Sequence, residues 1–438
     1  MKKVQLVILI VVANCTIVNS QQWSSLGSGF NSTVVSMVEY NGELVAGGYF
    51  TTSGIDSLYH IARWNGHAWQ PLGGGINGPV SDLEVYQGEL YAGGLFGQAG
   101  GNYASCIAKW NGSSWSSVGS GMNGGSIFTL KVYNGELYAG GDFNIADNHA
   151  AFRIAKWNGL AWTNVGGGMV PLTSSGNVLG LTVFNGELYA CGGFEYAGSV
   201  KVDRIAKWNG VVWSAVGGGM DNVVQNMIEY NGDLYACGVF NIAGGNSSPF
   251  ISKWNGSTWD SVGFGVDGRV RTLAVYGNEL FIGGDFTIAG GDSIPFIAKW
   301  DGSNWSEVGV GVDSMVTSFC VSDQSLYVGG FFLNAGGQIA NHIAKWHSLL
   351  GIEDQIKKQK IFLYPNPARG QIQFKFSEYI HQNSTIQISD IIGRIIKTVS
   401  IQSGIEEQIV NIADFHSGIY QYNFQDGETQ IVGRFVVE

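Results

Sequence analysis

A chain of 438 residues is long enough for two or three domains, and its 45% hydrophobic content excludes a disordered polymer. Gly is abundant at 66 residues and Pro scarce at 7, a balance that suits many short strands joined by tight turns. Net charge is −11 with only 13% charged residues; no basic stripe exists to neutralise phosphates, which speaks against nucleic acid, and the acidity reads as solubility.

In chain order, residues 1–20 read as a signal peptide. Lys2 and Lys3 form a charged start, Val4 to Ala13 an apolar run, and Val18-Asn19-Ser20 a cleavage site before Gln21. The run is too short to span a bilayer, and no later stretch resembles a span, so none is expected in the mature chain.

From 21 to 346 one unit recurs. Ile107-Ala108-Lys109-Trp110-Asn111-Gly112-Ser113-Ser114-Trp115 reads as a β-hairpin whose Asn-Gly supplies both positive-φ residues of a type I′ turn. Its first Trp falls at 64, 110, 157, 208, 254, 300 and 346, spacings of 46, 47, 51, 46, 46 and 46 residues. Each unit also carries a strand such as Leu130–Tyr133, an Asn134-Gly135 turn and a second strand from Glu136. Four strands per unit at this period predict an all-β fold, a seven-bladed β-propeller. Seven first Trp residues have only six following partners: Trp69, Trp115, Trp162, Trp213, Trp259 and Trp305. The seventh is Trp23, so the N-terminal strand is expected to complete the last blade and close the ring. Both short turns fall at one end of the strands. The longer loops, such as 51–60, 97–106 and 333–342, fall at the other, and that face is the candidate for binding.

Residues 347–360 read as a linker. Residues 361–438 lose Trp and the period, and show alternating runs at 371–376, 385–389, 394–401, 408–412, 419–424 and 430–437. About seven short strands predict a small C-terminal β-sandwich.

Four ordered motifs in this tail are Leu363-Tyr364-Pro365-Asn366-Pro367-Ala368, Ile388-Ser389-Asp390-Ile391-Ile392-Gly393-Arg394, Ser417-Gly418-Ile419-Tyr420 and Arg434-Phe435-Val436-Val437. Together they resemble the type A C-terminal sorting domain of the type IX secretion system of Bacteroidota. The resemblance implies passage through the outer membrane by that machinery. It also implies removal of the domain by a sortase-like peptidase and attachment to surface lipopolysaccharide. Its motif residues here are Tyr364, Pro365, Asn366, Pro367, Gly393, Gly418 and Tyr420. The repeat region is similar to secreted bacterial and fungal propellers with kelch-like repeats. That resemblance implies architecture and little chemistry.

Several patterns invite functional readings. Gly73-Gly74-Gly75-Ile76-Asn77-Gly78, with counterparts at Gly119 and Gly263, fits G-x-G-x-x-G, but lies between strands and recurs, so it reads as turn geometry. Arg63, Lys109, Lys156, Lys207, Lys253, Lys299 and Lys345 form a row of cations. Acids on the neighbouring strand from Glu43 to Glu279 read as their cross-strand partners, with Ser325 breaking the pattern. The residue before each Ile-Ala-Lys-Trp run varies, and His60, Arg153, Arg204 and His342 are the candidate ligand-binding residues on the loop face. Arg153 and Arg204, on adjacent blades, would clamp a carboxylate or sulfate. His60 and His342 would need a third ligand to hold a metal, and the sequence dictates none. Asp56, His149, Asp203 and Asp292 lie on the same loops without acid–base spacing. Asp142 to Asp147 lacks the glycine and terminal Glu of a calcium loop. Cys106, Cys191, Cys237 and Cys320 read as small thiols rather than a disulfide framework, and the Trp rows as packing between blades, with an exposed Trp or Tyr free to stack on a sugar.

No pattern calls for a cofactor, metal or catalytic residue. The sequence therefore predicts an exported, non-catalytic binding module for a glycan or surface protein. Its alternatives are a glycan-active enzyme at the loop face and a structural surface component. The even repeats favour the module, since 169–178 is the only extended connection.

Overall fold

The computed structural model describes residues 20–170, 176–349, 361–376, 384–390, 393–405, 407–426 and 429–437. Most of the predicted leader, residues 350–360 of the predicted linker and 171–175 of the extended connection lie outside them. The described residues belong to two compact units, Gln21–Ser348 and a unit that contains Leu349–Glu438.

The larger unit is all-β. Seven four-stranded antiparallel sheets, consistent with propeller blades, are present among the described residues. Sheet one comprises Val34–Tyr40, Glu43–Gly48, Ile61–Trp64 and Trp69–Pro71, in that order from first to fourth strand. Sheets two to six repeat it, with first strands Val80–Tyr86, Ile127–Tyr133, Val178–Phe184, Val224–Tyr230 and Val270–Tyr276. Sheet seven takes Val316–Ser322, Ser325–Gly330 and Ile343–Leu349 from its own stretch and Ser20–Ser25 from the other end of the sequence. The first strands of successive sheets pack side by side, and that of sheet seven packs against that of sheet one.

Trp23 takes the predicted place, its ring 5.2 Å from that of Trp346, matching the Trp110–Trp115 pair at 5.5 Å. The second Trp of every pair also joins two sheets. Trp69 Nε1 donates to Leu26 O at 3.2 Å, Trp115 to Leu72 O at 3.0 Å, and Trp23 to Val308 O at 2.9 Å. The accepting residue precedes the glycine turn, which explains that turn: at Gly73 (φ 57°) a Cβ would run into the Trp110 ring.

The two turns of each unit differ, and one corrects the sequence reading. Asn134 and Gly135 have φ of 49° and 76°, a type I′ turn closing the Tyr133–Glu136 pair. In the Trp hairpin only Gly112 is positive, at 96°. There Trp110 pairs directly with Trp115, leaving a four-residue loop in which Asn111 Oδ1 accepts the N–H groups of Ser113 and Ser114, both at 2.9 Å.

Among its described residues the smaller unit has seven strands, including Ile361–Arg369, which carries the Leu363-Tyr364-Pro365-Asn366-Pro367 run and a register break between Tyr364 and Arg369. That strand pairs antiparallel with Gln371–Phe376 and parallel with Thr429–Val437 through Ala368 and Val437. Phe374, Ile386, Ile388, Phe424 and Phe435 belong to one apolar core.

Candidate binding site in the central cavity

The first strand of every sheet begins with a β-bulge: Val34, Val80, Ile127, Val178, Val224, Val270 and Val316 are each followed by one residue that has no cross-strand partner. Both the bulged residue and the next one then line a cavity of about 330 Å³, to which all seven first strands contribute. These positions differ from sheet to sheet, while the strands around them repeat.

Sheets one to three supply a closed polar network. Ser36 Oγ donates to Asp82 Oδ1 at 2.9 Å, and Asp82 also accepts the N–H groups of Leu83 (2.9 Å) and Leu130 (2.7 Å). One carboxylate thereby ties three first strands together. Burial pushes the Asp82 carboxyl up, and these bonds and Lys131 work against that shift. Glu84, two residues on, is pushed up to about 6 by burial, against the attraction of Lys131 at 3.5 Å.

Sheets five to seven present the opposite condition. Gln225 Oε1, Arg271 Nε and Ser318 Oγ are buried polar atoms without a hydrogen-bond partner, and Ser318 is only 5% exposed. The nearest carboxylate to Arg271 is Asp285, at 4.0 Å, already held by Arg269 at 2.7 Å. Burial, then the neighbouring Arg269, lowers the Arg271 pKa. Gln225, Arg271 and Ser318 thus belong to three consecutive strands that line the cavity, and the three unpaired atoms are covered by the protein.

The loop-face candidates sit differently. His60, Arg153, Arg204 and His342, with Cys106, Phe250 and Phe296 at the same position, all have left-handed φ, between 63° and 76°. Their side chains turn back onto their surroundings. His60 Nδ1 lies 3.2 Å from Gly48 O, and His342 Nδ1 3.0 Å from Gly330 O; burial lowers the His60 pKa against that bond. Arg153 donates to Gly176 O at 2.7 Å, to Asp142 O at 3.0 Å and to Asn144 Oδ1, while Arg204 pairs with Glu195 at 3.3 Å. Asp203 meets Lys201 at 3.1 Å, and Asp56, His149 and Asp292 are exposed on the two-residue strands of three separate short hairpins. Among the described residues no group of three or more His, Cys, Asp or Glu is placed to hold a metal. Asp147 instead accepts the N–H groups of Ser120 and Trp162.

The row of cations is structural. Lys109, Lys156 and Lys207 each meet a Glu at 2.8 Å, and Lys345, opposite Ser325's strand, lies 5.6 Å from the Tyr327 ring centre. Cys106, Cys191, Cys237 and Cys320 are free thiols. Most of the Trp residues are buried, whereas Tyr49, Tyr59 and Tyr103 are more than half exposed.

In the tail, the motif residues shape turns and core. Arg394 N–H and Nε donate to Asp390 at 2.9 and 3.1 Å across the turn that holds Gly393 (φ 85°). Tyr420, two residues after Gly418, is buried, donates to His416 O at 3.0 Å and stacks on Phe435. Residues 362–438 match the family described as the secretion system C-terminal sorting domain. No curated protein matches the chain. The sorting domain is that of the type IX system, so the chain is exported across the outer membrane, to the cell surface or the extracellular space, and the secretion machinery is a partner. Among the described residues no helix is long and apolar enough to cross a membrane.

Proposed function

We propose that residues 21–346 form a seven-bladed β-propeller that acts as a non-catalytic binding module for a glycan or protein partner outside the cell. In this reading residues 1–20 are a cleaved signal peptide, 347–360 a linker and 361–438 a sandwich-like sorting domain, which a sortase-like peptidase removes after export. The observation that supports the binding role is the central cavity, which all seven first strands line with residues that vary from sheet to sheet, among them Ser81, Gln225 and Arg271. His60, Arg153, Arg204 and His342 belong to the reading as a rim on the loop-bearing face, braced by their own bonds.

One observation favours a second reading, a glycan-active enzyme. Glu84, near pKa 6 in the cavity, is tuned for a general acid at neutral pH. Exposing the purified chain to a panel of oligosaccharides separates the two. Retention without product is expected, and release of product that stops in Glu84→Gln would replace the module by the enzyme. A chain ending at Lys360 should fold and stay in the periplasm; its normal appearance at the surface would overturn the role given to the tail.

A further inference from the structure

The geometry points to a tyrosine side chain of a polypeptide partner as the occupant of a second cavity, between sheets one and two. Its ring takes the place of one that the chain itself supplies in the other six sheets. The inference rests on the binding-module reading, names the protein side of it, and uses none of the groups of the central cavity.

The repeat shows what is missing. The third residue of the second strand is Tyr91, Tyr138, Tyr189, Tyr235, Phe281 and Tyr327 in sheets two to seven, and Val45 in sheet one. Tyr91 shares an apolar core with Trp157, the first Trp of the next sheet, as Tyr138 does with Trp208 and Tyr235 with Trp300. Tyr91 also stands edge-on to Tyr86 at 5.6 Å, and the Tyr133–Tyr138 and Tyr230–Tyr235 pairs repeat that contact at 5.7 and 5.5 Å. Sheet one keeps the surroundings, Tyr40 and Trp110, but offers only Val45 to them.

The space left by the smaller side chain can be entered. A cavity of about 270 Å³ lies there, with Tyr40, Val45, Leu72 and Trp110 in its wall. Tyr40 and Trp110 keep 7% and 8% of their surface accessible. Asn41, Arg63 and Gly112, which also line it, are exposed, so the way in is from the face that carries the short turns. Small-molecule pockets usually start at roughly 300 Å³, and this one suits a single ring.

Arg63 selects the kind of ring. It pairs across the strands with Val45, as Lys345 does with Tyr327, and Lys345 Nζ lies 5.6 Å from the centre of that ring. A ring entering beside Val45 meets Arg63 in the same way, as a cation over an aromatic face. Arg63 is held by Glu43 at 3.1 Å, yet its side chain is 46% exposed, against 18% to 35% for the five lysines paired with an acid in the same way. The apolar wall gives the hydroxyls of a sugar no partner, and an aliphatic side chain forgoes the cation. Tyrosine fills the corresponding place in five of the other six sheets, and its hydroxyl can stay at the wet rim while the ring is buried.

The test is NMR titration of the full chain with N-acetyltyrosinamide, N-acetylleucinamide and p-cresol, repeated in Val45→Tyr and Arg63→Gln. N-acetyltyrosinamide should bind with a Kd on the order of 1 mM, at least about fivefold more tightly than the leucine compound. Val45→Tyr supplies the ring from the chain itself, and should abolish that binding and raise the melting temperature by about 2 °C or more. Arg63→Gln, a change at an exposed residue, should weaken binding about three- to fivefold, a check that does not depend on how Val45→Tyr packs. Equal binding of the leucine compound, no binding at all, or undiminished binding in folded Val45→Tyr would overturn the proposal. A lower melting temperature in Val45→Tyr together with no response to Arg63→Gln would do the same, since the cavity would then not accept the ring. Binding of p-cresol alone would overturn the polypeptide source, because a ring borne on a backbone could not enter. Each of these failures leaves the oligosaccharide test of the central cavity as it stands.

Discussion

The two arcs of the central cavity have the same backbone and opposite chemistry. Sheets one to three turn their polar groups on each other: Ser36, Asp82 and the amide of Leu130 close a network that fixes three strands. Sheets five to seven place Gln225 and Arg271 at the bulge and Ser318 one residue past it, each with a buried polar atom that has no hydrogen-bond partner. Because the bulge and its flanking strands are common to both, the difference cannot come from the fold. It resides in the side chains: one arc closes its polar groups on each other, and the other leaves three of them unpaired.

The largest expected break in that comparison is Asp82→Ala. It removes the acceptor from one hydroxyl and two backbone amides, and should destabilise the repeat unit by about 3 kcal/mol. Asp82→Asn, which keeps one acceptor oxygen, should cost less. Urea denaturation of both variants measures this, and an unchanged midpoint in Asp82→Ala would show that the network is not structural.

A smaller effect, with a definite pH dependence, is expected at Glu84. Its carboxyl titrates near 6 in the folded chain against 4.5 for the free side chain, so the folded state holds the proton more tightly. Stability is then greatest below about pH 4.5 and falls as pH rises towards 6, by about 2 kcal/mol for a shift of about 1.5 units. Glu84→Gln should be about 2 kcal/mol more stable than the parent at pH 8 and equal to it at pH 4.5. A variant less stable at pH 8 would mean that the Lys131 pair outweighs the burial.

Much of the scaffold was legible because its signals are local and repeated. The Trp spacing marks each sheet, and the count of partners led to Trp23, whose pairing with Trp346 required no tertiary information beyond symmetry. The tail was legible through motifs such as Asp390 to Arg394, where the structure shows a turn closed by those two side chains. The cavity was not legible. A bulge breaks the two-residue alternation by which a strand's faces are read, so Gln225 and Asn226 both line the cavity though neighbours in sequence should face apart. The usable signal was variation: Val35, Ser81, Phe128, Leu179, Gln225, Arg271 and Thr317 differ at a position that follows a near-constant Val or Ile. The loop face drew attention for the same reason, through His60, Arg153, Arg204 and His342, but there all seven residues share a left-handed backbone that folds the side chain inwards. Variation there is compatible with a turn that tolerates several side chains. In the cavity, variation comes with unpaired polar atoms, and that second property separates the two.

The smallest effect sharpens the comparison most. Ser318 is as buried as the residues of the closed network, and in a protein interior an unpaired hydroxyl is a cost rather than a support. Ser318→Ala removes that hydroxyl and almost no volume, so its stability should stay within about 0.5 kcal/mol of the parent, or rise slightly. Ser36→Ala, at the equivalent position of sheet one, removes a donor that Asp82 uses and should cost about 1 kcal/mol. Parallel thermal melts of the two single variants compare the arcs directly. If Ser318→Ala proves as costly as Ser36→Ala, its hydroxyl has a structural partner and the arcs are alike. If it is neutral in stability yet weakens ligand binding, the hydroxyl is retained against its own folding cost, which is the mark of a residue kept for recognition.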